Sequence, residues 1–96
     1  MSTYTDQELF DAIRAGIGQF TNVEPEDVNR EDHLEDDLFI DLRRDLPRIL
    51  AYIQQELGVI FESEAISDFL AEAEEDPEKA VVTELLALVK EEVEFN

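Results

Sequence analysis

Three carboxylates fall within six positions of the chain, at Asp36, Asp37 and Asp41. Clustered carboxylate oxygens are the ligands that hard divalent cations prefer, so weak cation binding is one chemistry that this cluster permits. The segment lacks the alternating ligands and the central glycine of an EF-hand loop, which argues against a dedicated calcium site. The other possibilities are a solvated loop with a favourable helix-dipole contribution and part of a protein contact. We expect the protein contact and no metal site.

Three of the seven basic residues follow directly, at Arg43, Arg44 and Arg48. Positive charge is slightly unfavourable near the N-terminus of a helix, so another interaction must favour these side chains there. One explanation is pairing with the acidic residues nearby, which are Glu35, Asp36, Asp37 and Asp45. The other is a binding site for a carboxylate or phosphate of a partner, since guanidinium groups bind both anions well. We therefore treat the three aspartates and the three arginines together as a candidate partner-binding site.

Nucleophilic and acid–base catalysis have few candidate residues in this chain. There is no cysteine, and the only histidine, His33, has no serine or cysteine placed to form a triad with it. Paired carboxylates that perform acid–base catalysis need burial in a pocket to separate their pKa values, and a small helical bundle leaves little room for such a pocket. We expect no enzymatic activity and no catalytic residues.

The charge balance restricts the class of partner. The chain has 26 acidic residues and seven basic ones, and its formal net charge is -19. Such a field repels nucleic acid and anionic membranes and attracts basic protein surfaces. Hydrophobic residues make up 44% of the chain, which is too many for a disordered acidic tail. We expect one domain over residues 1–96, a protein partner with a basic surface, and a monomer, because like-charged copies repel one another.

Localisation is inferred from features that the sequence lacks. The segment from Met1 to Asp6 contains no basic region and no apolar run of the kind found in a secretory signal. No apolar stretch approaches the length of a membrane span. The absence of cysteine also fits a reducing compartment. We expect a cytoplasmic protein that does not bind membranes.

Four segments show helical periodicity, and almost none shows a strand pattern. Thr5-Asp6-Gln7-Glu8 has the arrangement of a capping box, which predicts the start of the first helix. Asp45 as cap, with Pro47 in the first turn, predicts the start of the second helix. The apolar residues of the expected core recur at helical spacing: Phe10, Ile13, Ile17, Ile49, Leu50, Ile53, Leu85, Leu86 and Val89. We predict an all-α fold, a small four-helix bundle.

The remaining elements are assigned from weaker signals. Ser63 is the expected cap of a short third helix that ends near Ala73, and Asp76-Pro77 is the expected start of the last helix. Residues 21–40 form a long connection between the first two helices, a length that is unusual unless the loop packs on the core or carries function. Its expected anchors are apolar: Val23, Val28, Leu34, Leu38 and Phe39.

One stretch of this connection, Asp37-Leu38-Phe39-Ile40-Asp41-Leu42, leads past a proline into an amphipathic helix. It resembles the acyl carrier protein family, in which an acidic Asp-Leu-Gly-x-Asp-Ser-Leu stretch precedes the second helix and its serine carries a phosphopantetheine arm. The serine position holds Leu42 when counted forward from the first aspartate, and Arg43 when counted back from Leu57. Neither side chain has a hydroxyl. The resemblance covers about residues 5–93 and implies a bundle of the acyl-carrier type, here without the cofactor.

Three functions from different classes compete. The first is a carrier-like domain that has lost its attachment serine and serves as a protein-interaction or regulatory module, which the missing hydroxyl favours. The second is a divergent acyl carrier of fatty-acid or polyketide-type metabolism, which would need an arm on an unexpected residue or non-covalent binding of its ligand. Ser63 and Ser67 are poor candidates for that residue, because neither follows an Asp-Leu-Gly-like turn. The third is an acidic helical inhibitor or immunity-type protein. We favour the first.

The net charge of -19 predicts that salt stabilises the fold. Added sodium chloride screens the repulsion between carboxylates in the folded chain. If screening recovers about 1 kcal/mol, the melting temperature of a domain of this size rises by about 4–8 °C. Thermal melts followed by circular dichroism over a salt series measure this rise. A melting temperature that stays constant or falls would show that self-repulsion does not limit stability.

Overall fold

A computed structural model describes residues 4–95 of the chain, most of which lie in four α-helices. These are α1 (Asp6–Phe20), α2 (Leu46–Leu57), α3 (Ser63–Glu75) and α4 (Val82–Phe95). Two short 3-10 helices span Pro25–Asp27 and Pro77–Lys79. Within the described residues the only β-type pairing is one isolated bridge. The predicted all-α fold, a small four-helix bundle, is confirmed.

Some predictions extend beyond the described residues. The predicted domain over residues 1–96 and the segment from Met1 to Asp6 both include residues outside the described range. Among the helices of residues 4–95, none combines the length and the apolar character needed to cross a bilayer.

α1 begins where the capping box predicts. The Thr5 hydroxyl accepts a hydrogen bond from the Glu8 amide at 3.1 Å, and the Glu8 carboxylate accepts one from the Thr5 amide at 2.9 Å. The helix then packs its apolar face on α2, and Gly16 lies at this contact. A Cβ at Gly16 would be 3.3 Å from Cγ2 of Ile49, so the absence of a side chain lets the two helices lie close together.

The predicted core is buried, and the long connection contributes to it. All nine helix residues predicted for the core are buried. Three of the five predicted anchors of the connection are buried as well: Val28, Leu34 and Leu38. Val23 is half-buried against the core, whereas the prediction for Phe39 is wrong, because its side chain is 77% exposed. Ile40 and Leu42, which were not predicted as anchors, are buried instead.

Hydrogen bonds also hold the connection against the start of α4. The Leu34 amide donates to the Ala80 carbonyl at 2.8 Å. The hydroxyl and the amide of Thr83 both donate to the carbonyl of Arg30, at 2.7 and 3.0 Å. The connection between α1 and α2 is therefore a packed part of the bundle, fixed to a helix some 50 residues further along the chain.

The predicted start of the last helix is wrong. The Asp76 carboxylate does accept a hydrogen bond from the Glu78 amide at 3.1 Å, but the element that it caps is the 3-10 helix Pro77–Lys79. α4 begins only after Val81, which forms the isolated antiparallel bridge with His33. An extended residue in that bridge cannot also belong to a helix, so the pairing delays the helix start.

The predicted cap of the third helix is also wrong. Ser63 is the first helical residue, and the N-cap is Glu62, whose side chain makes no capping hydrogen bond. The Glu62 amide instead donates to the carboxylate of Glu92 on α4, at 2.5 Å. A contact between two helices thus satisfies the backbone at this helix start, which a local capping pattern cannot show.

Replacement of Leu34 tests whether the connection belongs to the core. Leu34 is fully buried, so Leu34→Ala leaves a cavity and lowers the free energy of unfolding by about 2–5 kcal/mol. Ile60→Ala is the matched control, since Ile60 also lies between helices but is 78% exposed, and its cost stays within about 0.5 kcal/mol. Urea unfolding curves of the two variants measure both values. Equal small losses would show that the connection adds nothing to the core.

Candidate partner-binding site

Residues 33–37 form a turn that holds the acidic side chains at the surface. The Nδ1 atom of His33 accepts hydrogen bonds from the amides of Glu35 and Asp36, at 3.2 and 3.1 Å. The His33 amide donates to the Asp37 carboxylate at 2.7 Å. His33 therefore caps this turn through its Nδ1 atom. The side chains of the three acidic residues remain exposed.

A second turn, residues 41–45, joins the acidic segment to α2. The Asp41 carboxylate accepts hydrogen bonds from the amides of Arg43 and Arg44, both at 2.9 Å. The Asp45 carboxylate accepts one from the Asp41 amide at 3.0 Å. The two aspartates therefore close the same turn from opposite ends. The predicted start of α2 is confirmed, since Asp45 is its N-cap residue and Pro47 lies in its first turn, but the Asp45 side chain makes no capping hydrogen bond to that helix.

These hydrogen bonds favour the charged forms of both aspartates. The amides of Arg44 and Arg43 lower the pKa of Asp41 below its ordinary value of 3.8. The pKa of Asp45 is lowered chiefly by its hydrogen bond with the Arg44 side chain, 3.1 Å from Nε, and then by the Asp41 amide. Asp45 in return raises the pKa of Arg44. A buried carboxylate is thus kept ionised by donors that outweigh the effect of burial.

The structure shows different environments for the three arginines. Arg44 pairs with Asp45, as the explanation by local pairing predicts. Arg43 donates to the carboxylate of Glu74 on α3 at 2.8 Å, a partner that the sequence analysis missed because it lies 31 residues away. Arg48 lies exposed on α2, and its charge contributes to the lowered pKa of Asp45. Two of the three positive charges are therefore paired within the chain.

The two positions that the resemblance would align with an attachment serine differ in exposure. Leu42 is only 4% exposed and belongs to the core. The Arg43 side chain is 81% exposed. An enzyme that attaches a prosthetic arm needs an accessible side chain, so Arg43 is the position of the two that such an enzyme can reach.

Phe39 is the surface residue that the sequence analysis misplaced. Its φ is 59°, in the left-handed region, and its side chain is 77% exposed. That backbone conformation costs a residue other than glycine roughly 1–2 kcal/mol, and an exposed ring regains little of it by burial. The sequence holds no local signal for this exposure, because the turn that ends at Phe39 is closed by backbone hydrogen bonds from the amides of Phe39 and Ile40 to the carbonyls of Glu35 and Leu34.

Phe39 is one wall of a surface cleft between the end of α1 and the 41–45 turn. The cleft has a volume of about 560 Å³. Its lining consists of two aromatic rings, three neutral polar residues and one ion pair: Phe20, Phe39, Gln19, Thr21, Asn22, Arg44 and Asp45. The Phe20 ring packs edge-on against Tyr52, with 6.5 Å between the ring centroids, and Phe20 is 38% exposed. The cleft can accept an apolar side chain.

The structure places the six predicted partner-binding residues in three consecutive segments. Asp36 and Asp37 lie in the 33–37 turn, Asp41, Arg43 and Arg44 lie in the 41–45 turn, and Arg48 lies on α2. No group of three or more histidine, aspartate or glutamate side chains among residues 4–95 is arranged to hold a metal ion. None of the family models, curated proteins and solved structures compared with the chain matches it. The site itself is therefore the basis for assigning a function.

Replacement of Asp45 tests whether the 41–45 turn depends on the charge of this carboxylate, through the pH dependence of the free energy of unfolding. A carboxylate whose pKa is lowered by folding stabilises the fold above its ordinary value of 3.8, and this contribution is lost as the pH falls through the folded value. Asp45→Asn should therefore cost about 1–3 kcal/mol at neutral pH. The difference from the wild type should shrink from about pH 5 downward.

Asp68→Asn supplies the control for net charge, because Asp68 is an exposed acid on α3 and its replacement changes the formal charge equally. Free energies of unfolding in urea, measured at several pH values, compare the three proteins. If the Asp45 and Asp68 variants follow the same pH profile, the turn does not depend on the charge of Asp45.

Proposed function

We propose that this chain is a carrier-like module without the attachment serine, which acts by binding a partner protein with a basic surface. The observation that carries the proposal is which residues occupy the two positions that the resemblance aligns with the attachment serine. The buried one is Leu42, and the exposed one is Arg43, which is paired with Glu74. The proposed module is monomeric, cytoplasmic and without enzymatic activity.

The backbone at Phe39 supports the resemblance to acyl carriers. The family pattern has glycine at this position, and here Phe39 adopts the left-handed conformation that glycine adopts most readily. Two residues later, Asp41 occupies the position of the second aspartate of the pattern and caps the turn that follows. The glycine-type conformation and the aspartate thus fall at the same spacing as the glycine and the second aspartate of the family pattern.

The exposed acidic residues support binding to a basic surface. Glu35, Asp36 and Asp37 are exposed, and hydrogen bonds within the turn restrain the backbone that carries them. A restrained backbone reduces the entropy that is lost when a partner binds. The pairing of Arg43 and Arg44 with acids of the same chain also reduces the positive charge that would oppose a basic partner.

An attachment assay distinguishes this module from a divergent carrier. Wild-type protein, Arg43→Ser and Leu42→Ser are each incubated with coenzyme A and a broad-specificity phosphopantetheinyl transferase, beside a known carrier, and intact masses are measured. The wild type should gain no mass. Arg43→Ser should gain one arm because its hydroxyl is exposed, and Leu42→Ser should gain none because that position is buried.

Each contrary result has a defined meaning. An arm on the wild-type protein would establish the divergent carrier, and peptide mapping would decide between Ser63 and Ser67, which are both exposed. If the known carrier is modified while Arg43→Ser is not, the resemblance does not extend to recognition by the transferase. The loss of the exposed Arg43–Glu74 ion pair is expected to cost at most about 1 kcal/mol, so Arg43→Ser should stay folded. Leu42→Ser places a hydroxyl in the core, so circular dichroism must show that this variant is folded before its mass is compared.

A further inference from the structure

We propose that Phe39 and Phe20 form an apolar subsite, which takes a leucine or aromatic side chain from a lysine- or arginine-rich segment of the partner protein. This inference rests on the proposed function. It adds that one apolar side chain of the partner is recognised by the shape of the cleft. The general attraction of the acidic surface for a basic protein does not require such a subsite, so the two ideas can be tested separately.

Phe39 is in a position that the stability of the fold does not explain. Its φ of 59° favours glycine, and its side chain is 77% exposed although the residues on both sides of it are buried. A glycine here would adopt the left-handed backbone without strain, and a polar side chain would be better suited to exposure to water. A large ring held outward in a left-handed conformation meets neither requirement, whereas it provides contact area for another molecule.

Phe20 provides a second aromatic surface on the same cleft. Leu9, Phe10, Ile13 and Ile17 on α1 are buried, but Phe20 on the same helix is 38% exposed. Its ring is supported by the edge-on contact with Tyr52, at 6.5 Å. The two phenylalanine side chains line one cleft of about 560 Å³, so a side chain that enters it can contact both rings.

The charge of the cleft differs from that of its surroundings. The only charged residues in its lining, Arg44 and Asp45, are paired with each other. The other lining residues are aromatic or neutral and polar. A lysine or arginine inside the cleft would meet no unpaired carboxylate, whereas an apolar side chain could pack on the two rings, which are the apolar part of the lining.

The flanking chain determines the rest of the occupant. The exposed carboxylates of Glu35, Asp36 and Asp37 immediately precede Phe39, and exposed Asp41 follows it. Lysine or arginine residues on both sides of the apolar anchor would lie against these charges. A second copy of this chain is the wrong occupant, since each copy carries a net charge of -19.

A pair of synthetic peptides tests the subsite. The first is Lys-Lys-Gly-Trp-Gly-Lys-Lys with blocked ends, and the second has serine in place of tryptophan. Because the chain contains no tryptophan, the emission of the first peptide reports its environment directly, and the second is measured by competition. We expect the wild-type protein to bind the tryptophan peptide about tenfold more tightly, with emission shifted to the blue.

Two variants connect this preference to the cleft. Phe39→Gly removes one wall and suits the backbone at φ 59°, so the fold is retained while the preference falls below about twofold. Ile60→Ala, which removes a different exposed apolar side chain, keeps the preference. Circular dichroism and melting curves confirm that both variants are folded.

Each contrary outcome overturns a defined statement. Equal, salt-sensitive binding of both peptides would overturn the subsite and leave the basic-partner proposal intact. No binding of either peptide at low salt would overturn both. A preference for tryptophan that Phe39→Gly retains would place the apolar contact elsewhere. A wild-type dimer in sedimentation that Phe39→Gly abolishes would identify a second copy as the occupant, against the inference.

Discussion

The surface of this protein depends on an alternation of burial in the chain that leads into α2. Leu38, Ile40 and Leu42 occupy the core at every second position. Between them, Phe39 and Asp41 are exposed, and the left-handed backbone at Phe39 (φ 59°) turns the chain between Leu38 and Ile40. The exposed ring beside the cleft and the capping carboxylate thus lie between residues that are buried in the core. The segment is fixed in place because the core holds it from one side.

The turn at residues 41–45 then decides how this segment joins the helix. Pro47 has no amide hydrogen, and inside a continuous helix its ring would clash with the carbonyl of Arg43. The chain accommodates it with a separate turn before the regular helix begins at Leu46, and the side chains of Asp41 and Asp45 satisfy amides of that turn. At this junction the two aspartates together accept hydrogen bonds from three backbone amides, those of Asp41, Arg43 and Arg44.

The acidic residues have two physical roles. Several are bonded to the protein itself, among them Glu8 in the capping box of α1, Asp37 in the 33–37 turn, Asp41 and Asp45 at the junction, and Glu92 at the start of α3. Others, including Glu35 and Asp36, project into solvent. The first group stabilises particular turns through charge-assisted hydrogen bonds. The second group produces the negative field that a basic partner would encounter.

Local patterns in the sequence determined the parts of the structure that depend on neighbouring residues. The capping box of Thr5 and Glu8, the helical stripes of the core and the lack of a hydroxyl at Leu42 and Arg43 can all be read within a few positions. Tertiary structure decided the features that depend on distant contacts. The pairing of residue 33 with residue 81 delays α4, and Glu74 on α3 binds Arg43. Periodicity and capping report only interactions along one helix or turn, whereas these contacts exist only after the bundle has brought separate segments together.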